Sequence, residues 1–347
     1  MNISRESLEN LFEDFRNLKV LILGDVMIDS YITGKVDRIS PEAPVPVVVV
    51  EKRWNMLGGA ANVALNIKSL GAEPILCSVI GSDVKGQTFI ELLEQDNIST
   101  TGIIQSAQRV TTTKFRIIGN KAQLLRVDEE TEVDLNPDEE MELGDKLNEI
   151  IENEDIKVII LQDYNKGVLT EKVINDIITI GQMKNIPVVV DPKKKNFTCY
   201  SRIDLFKPNL KELREGLKQD IELKEIEKIK QACAEWQQKQ QIVSLMVTLS
   251  ENGVFFREQQ DGRVTEFHIP AHVRNIADVS GAGDTVISVA SLCRALKTDS
   301  WLTAALSNIA GGLVCEQVGV VPVKGMRLLE EAIQLLTQGN TVGSRKI

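Results

Sequence analysis

Apolar and polar positions follow two different rhythms along this chain. From about residue 138 onward, helical periodicity at 138–152, 170–184 and 222–239 alternates with short, continuously apolar runs: Val158–Gln162, Val188–Val190, a segment around Leu205–Lys207, and Ser244–Thr248. Runs of this kind, each preceded by an amphipathic helix, predict a mainly parallel sheet covered on both faces. Lys19–Leu23 and Ile75–Ile80 add strands of the same type. Helical patterns at 3–17, 302–318 and 327–337 complete the set, and Val254–Arg257 with Thr265–Ile269 reads as an antiparallel hairpin around Asp261-Gly262. The predicted class is α/β.

The second rhythm interrupts the first. Residues 31–56 contain Pro41, Pro44 and Pro46 followed by a β-branched run, Val47 to Val50. Proline fixes φ and is excluded from the middle of a sheet. The segment is therefore expected to be extended and to lead into a strand of a small separate sheet. Val110–Ile118 and Ala122–Val127 flank Gly119-Asn120-Lys121, a hairpin signal, and supply its partner. The expectation is one domain over 1–347 with a lid formed by about 31–56 and 108–128. So small a sheet exposes faces and edges that a second subunit would cover, so a homodimer through the lid is expected.

Polar residues recur where strands end: Asp29, Asp163, Asp191, Lys193, Asn209, Glu212, Ser250 and Asp284. In open α/β sheets ligands bind at that edge. Gly58-Gly59-Ala60-Ala61-Asn62 is a glycine turn opening an alanine-rich helix, with the Asn62 amide able to reach a substrate hydroxyl; close helix packing through small residues explains the same residues. Ser280-Gly281-Ala282-Gly283-Asp284-Thr285 precedes an apolar helical run. Glycines let a backbone approach a ligand closely, and unpaired N–H groups make a helix start an anion site. A carboxylate there is repelled by a phosphate, so Asp284 is either an ordinary N-cap or a base that accepts a proton from an attacking hydroxyl. The six residues alone leave both open.

Composition narrows the function. The chain has 347 residues and a formal net charge of −10, which argues against nucleic acid as the main partner and requires anionic substrates to be held by local cations or backbone N–H groups. Cys77, Cys199, Cys233, Cys293 and Cys315 are odd in number and widely spaced, as in a reduced, cytoplasmic protein. The sequence begins without an apolar signal region, and no stretch approaches a membrane span. Pro270 between His268 and His272 spoils a helical metal pair.

The glycine-turn segment and the Ser280–Thr285 segment, in that order and more than two hundred residues apart, resemble the two signature motifs of the ribokinase-like (PfkB) carbohydrate kinases; the resemblance covers about residues 10–338. The phosphate loop G-x-x-x-x-G-K-[ST] is absent. Within the family, residues 37–47, 58–64, 124–128 and 191–193 are similar to the heptose 7-phosphate kinases of the ADP-heptose pathway, which serves lipopolysaccharide or related glycans. Many of those enzymes continue into a nucleotidyltransferase domain with an H-x-G-H motif. Here the sequence ends at Ile347 without one, so a stand-alone kinase is expected.

The resemblance implies a ribokinase-like fold and transfer of the ATP γ-phosphoryl to the anomeric 1-hydroxyl of D-glycero-D-manno-heptose 7-phosphate. Another sugar or nucleoside as acceptor, or a non-catalytic sensor, is the alternative. Asp284 would be the base, with Gly281, Ala282 and Gly283 as the anion hole. Gly58, Gly59, Asp29 and Asn62 would read the sugar, and Lys193, Arg126, Arg38 and Lys114 are candidates for its phosphate. Asn209 and Glu212 would stand near Mg²⁺, through water, and the phosphates. Thr248, Ser250 and Gly253 would lie along the nucleotide, with Asn308 on the adenine side. Asp278 resembles a position near a monovalent cation, commonly K⁺.

Overall fold

The computed structural model describes residues 3–260, 262–272 and 274–337. In chain order the elements are α1 (Arg5–Phe15), β1 (Lys19–Gly24), β2 (Val26–Ile39), β3 (Pro46–Gly59), α2 (Ala60–Ser69), β4 (Glu73–Gly81), α3 (Val84–Gln95) and β5 (Ile103–Ser106). There follow β6 (Thr113–Gly119), β7 (Ala122–Glu129), α4 (Pro137–Asn153), β8 (Ile156–Gln162), α5 (Glu171–Lys184), β9 (Val188–Asp191), β10 (Leu205–Phe206), α6 (Leu210–Leu217) and α7 (Ile226–Gln240). β11 (Ser244–Thr248), β12 (Val254–Gln260), β13 (Arg263–Ile269), α8 (Ala282–Ala295), α9 (Ser300–Val314) and α10 (Gly325–Leu336) complete the described chain.

The apolar strands assemble a nine-stranded sheet in the order β13-β12-β11-β10-β9-β8-β1-β4-β5. It is parallel except for the β11-β12-β13 edge. Strand periodicity divides its side chains between two cores. Val20, Ile22, Val158 and Ile160 face a layer containing α1, α2, α8, α9 and α10. Leu21, Leu23, Ile159 and Leu161 face a layer containing α4 to α7. Both faces are thus buried, as the continuous apolar runs require. The β12–β13 hairpin is present; Asp261 in its expected turn lies outside the described residues.

The second sheet has four strands, β3-β2-β6-β7. It differs from the sequence expectation in one respect that matters for function. Gly24 to Asp29 is not a loop: β2 begins at Val26 and runs fourteen residues, so Asp29 lies within a strand. The prolines fall where their chemistry allows, Pro41 and Pro44 in the β2–β3 connection and Pro46 at the first position of β3. Asn120 and Lys121 both have positive φ, +51° and +69°, the signature of a two-residue type I′ hairpin turn. β5 was not foreseen; it is a four-residue edge strand beside β4, too short to carry a pattern.

Alternation makes the second sheet two-faced. Paired positions put Asp29, Tyr31, Lys114, Arg116, Arg126 and Asp128 on one face, and Ile32, Phe115, Ile117, Leu125 and Val127 on the other. On the apolar face Leu125 is 54% exposed and Val127 43%.

The turn from β1 into β2 positions the site and tolerates no side chain at Gly24. A Cβ there would lie 2.0 Å from the backbone oxygen of Gln162 on the neighbouring strand. Gly24→Ala is expected to destabilise the fold by roughly 2–3 kcal/mol, seen as a lowered Tm. Melting within about 1 °C of the parent would show that the β1–β8 pairing can give way without loss.

Candidate active site

The carboxyl ends of β8, β9, β10 and β11 meet the start of α8 around a cavity of about 750 Å³. Asp284 lines it and is 3% exposed. α8 starts differently from the simple cap reading. Gly281 is the N-cap, at φ +78°, and Asp284 is the third residue of the helix, so its carboxylate does not cap. Glycine is needed at 281 twice over, for the left-handed backbone and because a Cβ would lie 2.9 Å from the Asn62 amide nitrogen. At Gly283 a Cβ would only touch Lys207 and Asp191, at 3.6 and 3.8 Å, so the missing side chain leaves room in the cavity. The Ala282 N–H makes a long 3.4 Å bond back to the Val279 carbonyl.

Three side chains donate to the Asp284 carboxylate. Asn62 Nδ2 donates to Oδ2 at 2.7 Å. Tyr164 Oη donates to Oδ1 at 2.6 Å, and Gln162 Nε2 donates to the same oxygen at 3.2 Å. Gln162 Nε2 also reaches Asp191 Oδ2 at 3.2 Å, and Lys207 Nζ lies 3.0 Å from that oxygen. Burial pushes the Asp284 pKa up to about 6; the Asn62 and Tyr164 hydrogen bonds oppose that rise, Asp191 adds to it, and Lys207 opposes it. A carboxylate with that proton affinity is a competent base near neutral pH.

Asn66 joins the two glycine-rich segments. Its side chain donates to the Asn62 carbonyl at 2.9 Å and accepts from Thr285 Oγ1 at 2.9 Å and from the Val323 N–H at 3.0 Å. The small residues of α2 thus pack closely against α8, as the sequence allowed, and that packing brings Asn62 to Asp284. Asp25, 1% exposed, accepts from the N–H groups of Tyr164, Lys166 and Val168 at 2.8, 3.1 and 3.0 Å and holds the 163–168 loop. Burial and the nearby Asp163 raise its pKa to about 6 despite those donors.

The structure brings some expected residues together and separates others. Lys193, Asn209, Glu212, Thr248, Ser250, Gly253, Gly281, Gly283 and Asn308 line one cavity with Asp284. Asn209 and Glu212 form a reciprocal cap on α6, the Asn209 side chain accepting from the Glu212 N–H and the Asn209 N–H donating to Glu212 Oε2, both at 2.8 Å. Lys193 pairs with Glu212 Oε1 and lies over the Tyr164 ring. Burial favours its neutral amine, but Asp191 and Glu212 hold its pKa above the usual lysine value. Asn308 Nδ2 donates to the Pro270 carbonyl at 2.9 Å. Asp278 accepts from the N–H groups of Ser280 and Gly319, both at 3.0 Å. Its burial is outweighed by those donors, so its pKa is lowered and it stays ionised.

On the second sheet, Asp29 is buried against Gly58, where a Cβ would lie 2.4 Å from Asp29 Oδ2, and is paired with Arg116. Arg38 does not join it: it is exposed and nine residues farther along β2, roughly 30 Å of extended chain. Arg126 is also exposed and pairs with Asp128, while Lys114 is taken up by Asp128 and Glu130. Gln162, Tyr164, Lys207 and Arg116 escaped the sequence reading as site residues. Tyr164 follows a flagged strand end, and Lys207 stands directly before Pro208-Asn209; each had a positional signal, but neither had a visible partner. A second concavity, about 990 Å³, lies at the opposite sheet edge, away from Asp284.

The chain matches the sequence profile of the pfkB family carbohydrate kinases over residues 17–324, and it belongs to that family. It is 40% identical over 322 residues to the "Bifunctional protein HldE" of Helicobacter pylori strain G27, and 36% over 330 residues to that of Syntrophotalea carbinolica. These alignments cover 92% and 94% of this chain but 66% of each relative, so the chain spans about two thirds of their length. Among solved structures it is similar to Escherichia coli phosphofructokinase-2 in complex with substrates and products (TM-score 0.74, 18% identity, 92% of this chain and 100% of that one). It is also similar to Arabidopsis thaliana ribokinase complexed with ribose and ATP (TM-score 0.66, 16% identity, 90% and 98%). The fold is ribokinase-like, and the protein is an ATP-dependent carbohydrate kinase.

If Asp284 serves as the base it must be ionised to accept a proton, and kcat/KM is then expected to fall as the pH drops below about 6, measured by initial rates across the acidic range. A rate that is flat from about pH 7.5 to 5 would contradict the assignment of the base.

Proposed function

We propose that this pfkB family carbohydrate kinase transfers the γ-phosphoryl of ATP to the anomeric 1-hydroxyl of D-glycero-D-manno-heptose 7-phosphate, giving the 1,7-bisphosphate for ADP-heptose synthesis. The observation that carries the kinase chemistry is the meeting of Asn62 and Asp284 at the glycine-rich start of α8. The choice of acceptor rests on the likeness of residues 37–47, 58–64, 124–128 and 191–193 to heptose 7-phosphate kinases, and the identity to HldE proteins supports it.

In this reading the acceptor hydroxyl lies against Asp284, which takes its proton as the oxygen attacks phosphorus. Positioning and charge stabilisation then do most of the work. The N–H groups of Gly281, Ala282 and Gly283 and the start of α8 face the transferring phosphoryl. Thr248, Ser250, Gly253 and Asn308 lie along the nucleotide. Asp29, Gly58, Gly59 and Asn62 read the sugar hydroxyls. Arg116, held by Asp29, joins Arg126 as a cation on that face of the second sheet. Lys193, among Asp191, Glu212 and Tyr164, sits on the phosphoryl-transfer side of the cavity rather than with those arginines.

A magnesium ion would neutralise the ATP phosphates. The side-chain oxygens of Asn209 and Glu212 already accept from each other's backbone and from Lys193, and among the described residues no cluster of three or more His, Cys, Asp or Glu side chains forms. That donor set suits an ion held through water and by the phosphates. Ionised Asp278 suits a K⁺ ion beside the loop that leads into α8. The second sheet acts as a lid, and its apolar face pairs with a second copy to give a homodimer. Among the described residues no helix is long and apolar enough to cross a membrane; a cytoplasmic location accords with this reading.

Two measurements bear on the proposal. Asp284→Asn is expected to lower kcat about 10²-fold or more, with heptose 7-phosphate preferred over unphosphorylated sugars by the parent; near-normal turnover of the variant, or equal use of unphosphorylated sugars, would reject the corresponding assignment. Leu125→Glu is expected to convert a dimer to a folded monomer in light scattering, and an unchanged dimer mass would move the interface elsewhere.

A further inference from the structure

Asp284 is not symmetric in its surroundings. A carboxylate oxygen accepts about two hydrogen bonds. Oδ1 already has two donors, Tyr164 Oη at 2.6 Å and Gln162 Nε2 at 3.2 Å. Among the described residues Oδ2 has one, Asn62 Nδ2 at 2.7 Å. We infer that Tyr164 is a positioning residue for phosphoryl transfer: with Gln162 it saturates Oδ1, fixes the plane of the carboxylate, and leaves Oδ2 as the oxygen that takes the proton of the acceptor hydroxyl. The inference rests on the reading of Asp284 as the base and adds which of its oxygens reacts and what aims it.

Tyr164 is built to hold this place. Its own N–H is bound by the buried carboxylate of Asp25 at 2.8 Å, and the same carboxylate takes the N–H groups of Lys166 and Val168, so the loop is wound around a fixed anchor. Gly167 makes that winding possible, at φ +87°, where a Cβ would lie 2.0 Å from the Val133 carbonyl oxygen. The ring is covered by the Lys193 ammonium, 5.2 Å from its centroid. Burial, then Asp284 and Asp191, keep the phenol protonated well above its usual range, so it only donates toward Asp284. The charged groups facing Asp284 are Asp191 on β9, Lys207 just beyond β10, and Lys193 after β9. Asp191 favours the protonated acid and the lysines favour the carboxylate. The Tyr164 hydrogen bond also favours the carboxylate. Removing it while leaving the charges in place therefore raises the proton affinity of the base.

The test is the pH dependence of kcat/KM in Tyr164→Phe, beside the parent and Asp284→Asn. Phenylalanine keeps the ring and its packing. The acid limb is expected to move up by about one pH unit, the scale of one charge-assisted hydrogen bond. A purely structural tyrosine would leave the limb in place. A limb within about 0.3 unit of the parent, with Asp284→Asn inactive, overturns this inference alone; an active Asp284→Asn overturns the base assignment and this inference with it. If Tyr164→Phe does not fold, 3,5-difluorotyrosine placed at 164 is the second variant. It is nearly isosteric and a stronger donor, so the limb is expected to move down, and an unmoved limb overturns the inference.

Discussion

Keeping one carboxylate ionised inside the protein is the constraint on which the rest of this structure depends. Taking a charge such as Asp284 out of water is unfavourable unless donors and counter-charges replace the water. Here the replacements come from distant parts of the chain: Asn62 from α2, Gln162 from the end of β8, Tyr164 from the loop after it, and Lys207, through Asp191, from the end of β10. No local segment could assemble them. A parallel sheet does so because all its strand ends of one polarity open on the same edge. The buried Asp25 serves the same end at one remove, by holding the loop that presents Tyr164.

The second sheet extends the same logic outward. Its polar face carries the buried Asp29 paired with the half-buried Arg116 beside the glycine turn of the first motif, while its apolar face stays partly open. One sheet thus carries a charged face beside the glycine turn and a partly exposed apolar face. Tyr31 and Trp54, stacked at 5.0 Å, stiffen the crossing between β2 and β3 on the polar face, and Arg116 lies over the Tyr31 ring.

Much of the fold was legible because its signals are local. Continuous apolar runs after helical periods gave the parallel strands, and the Asn120-Lys121 turn gave a hairpin. The two glycine-rich segments were legible for the same reason: close approach of α2 and α8 requires small residues wherever their partners lie. What escaped was of two kinds. The pattern puts Asp29 at a strand end, whereas the chain turns at Gly24-Asp25 and immediately enters β2, so Asp29 lies inside a strand. Gln162, Tyr164 and Lys207 were missed because their importance lies in partners 122, 120 and, for Lys207 with Asp191, sixteen residues away. A buried lysine beside an apolar strand becomes meaningful only when its carboxylate is known. Arg38 shows the converse: a basic residue in a matching segment says nothing about how far along its strand it is carried from the site.

The most direct measurement of the central claim is a crystal structure of the protein with a non-hydrolysable ATP analogue and an acceptor sugar phosphate. The acceptor hydroxyl is expected within hydrogen-bond reach, about 3 Å, of Asp284 Oδ2, with the terminal phosphoryl facing the start of α8 and Tyr164 still on Oδ1. A hydroxyl bound away from Asp284, or a nucleotide whose phosphates avoid Gly281 to Gly283, would contradict it.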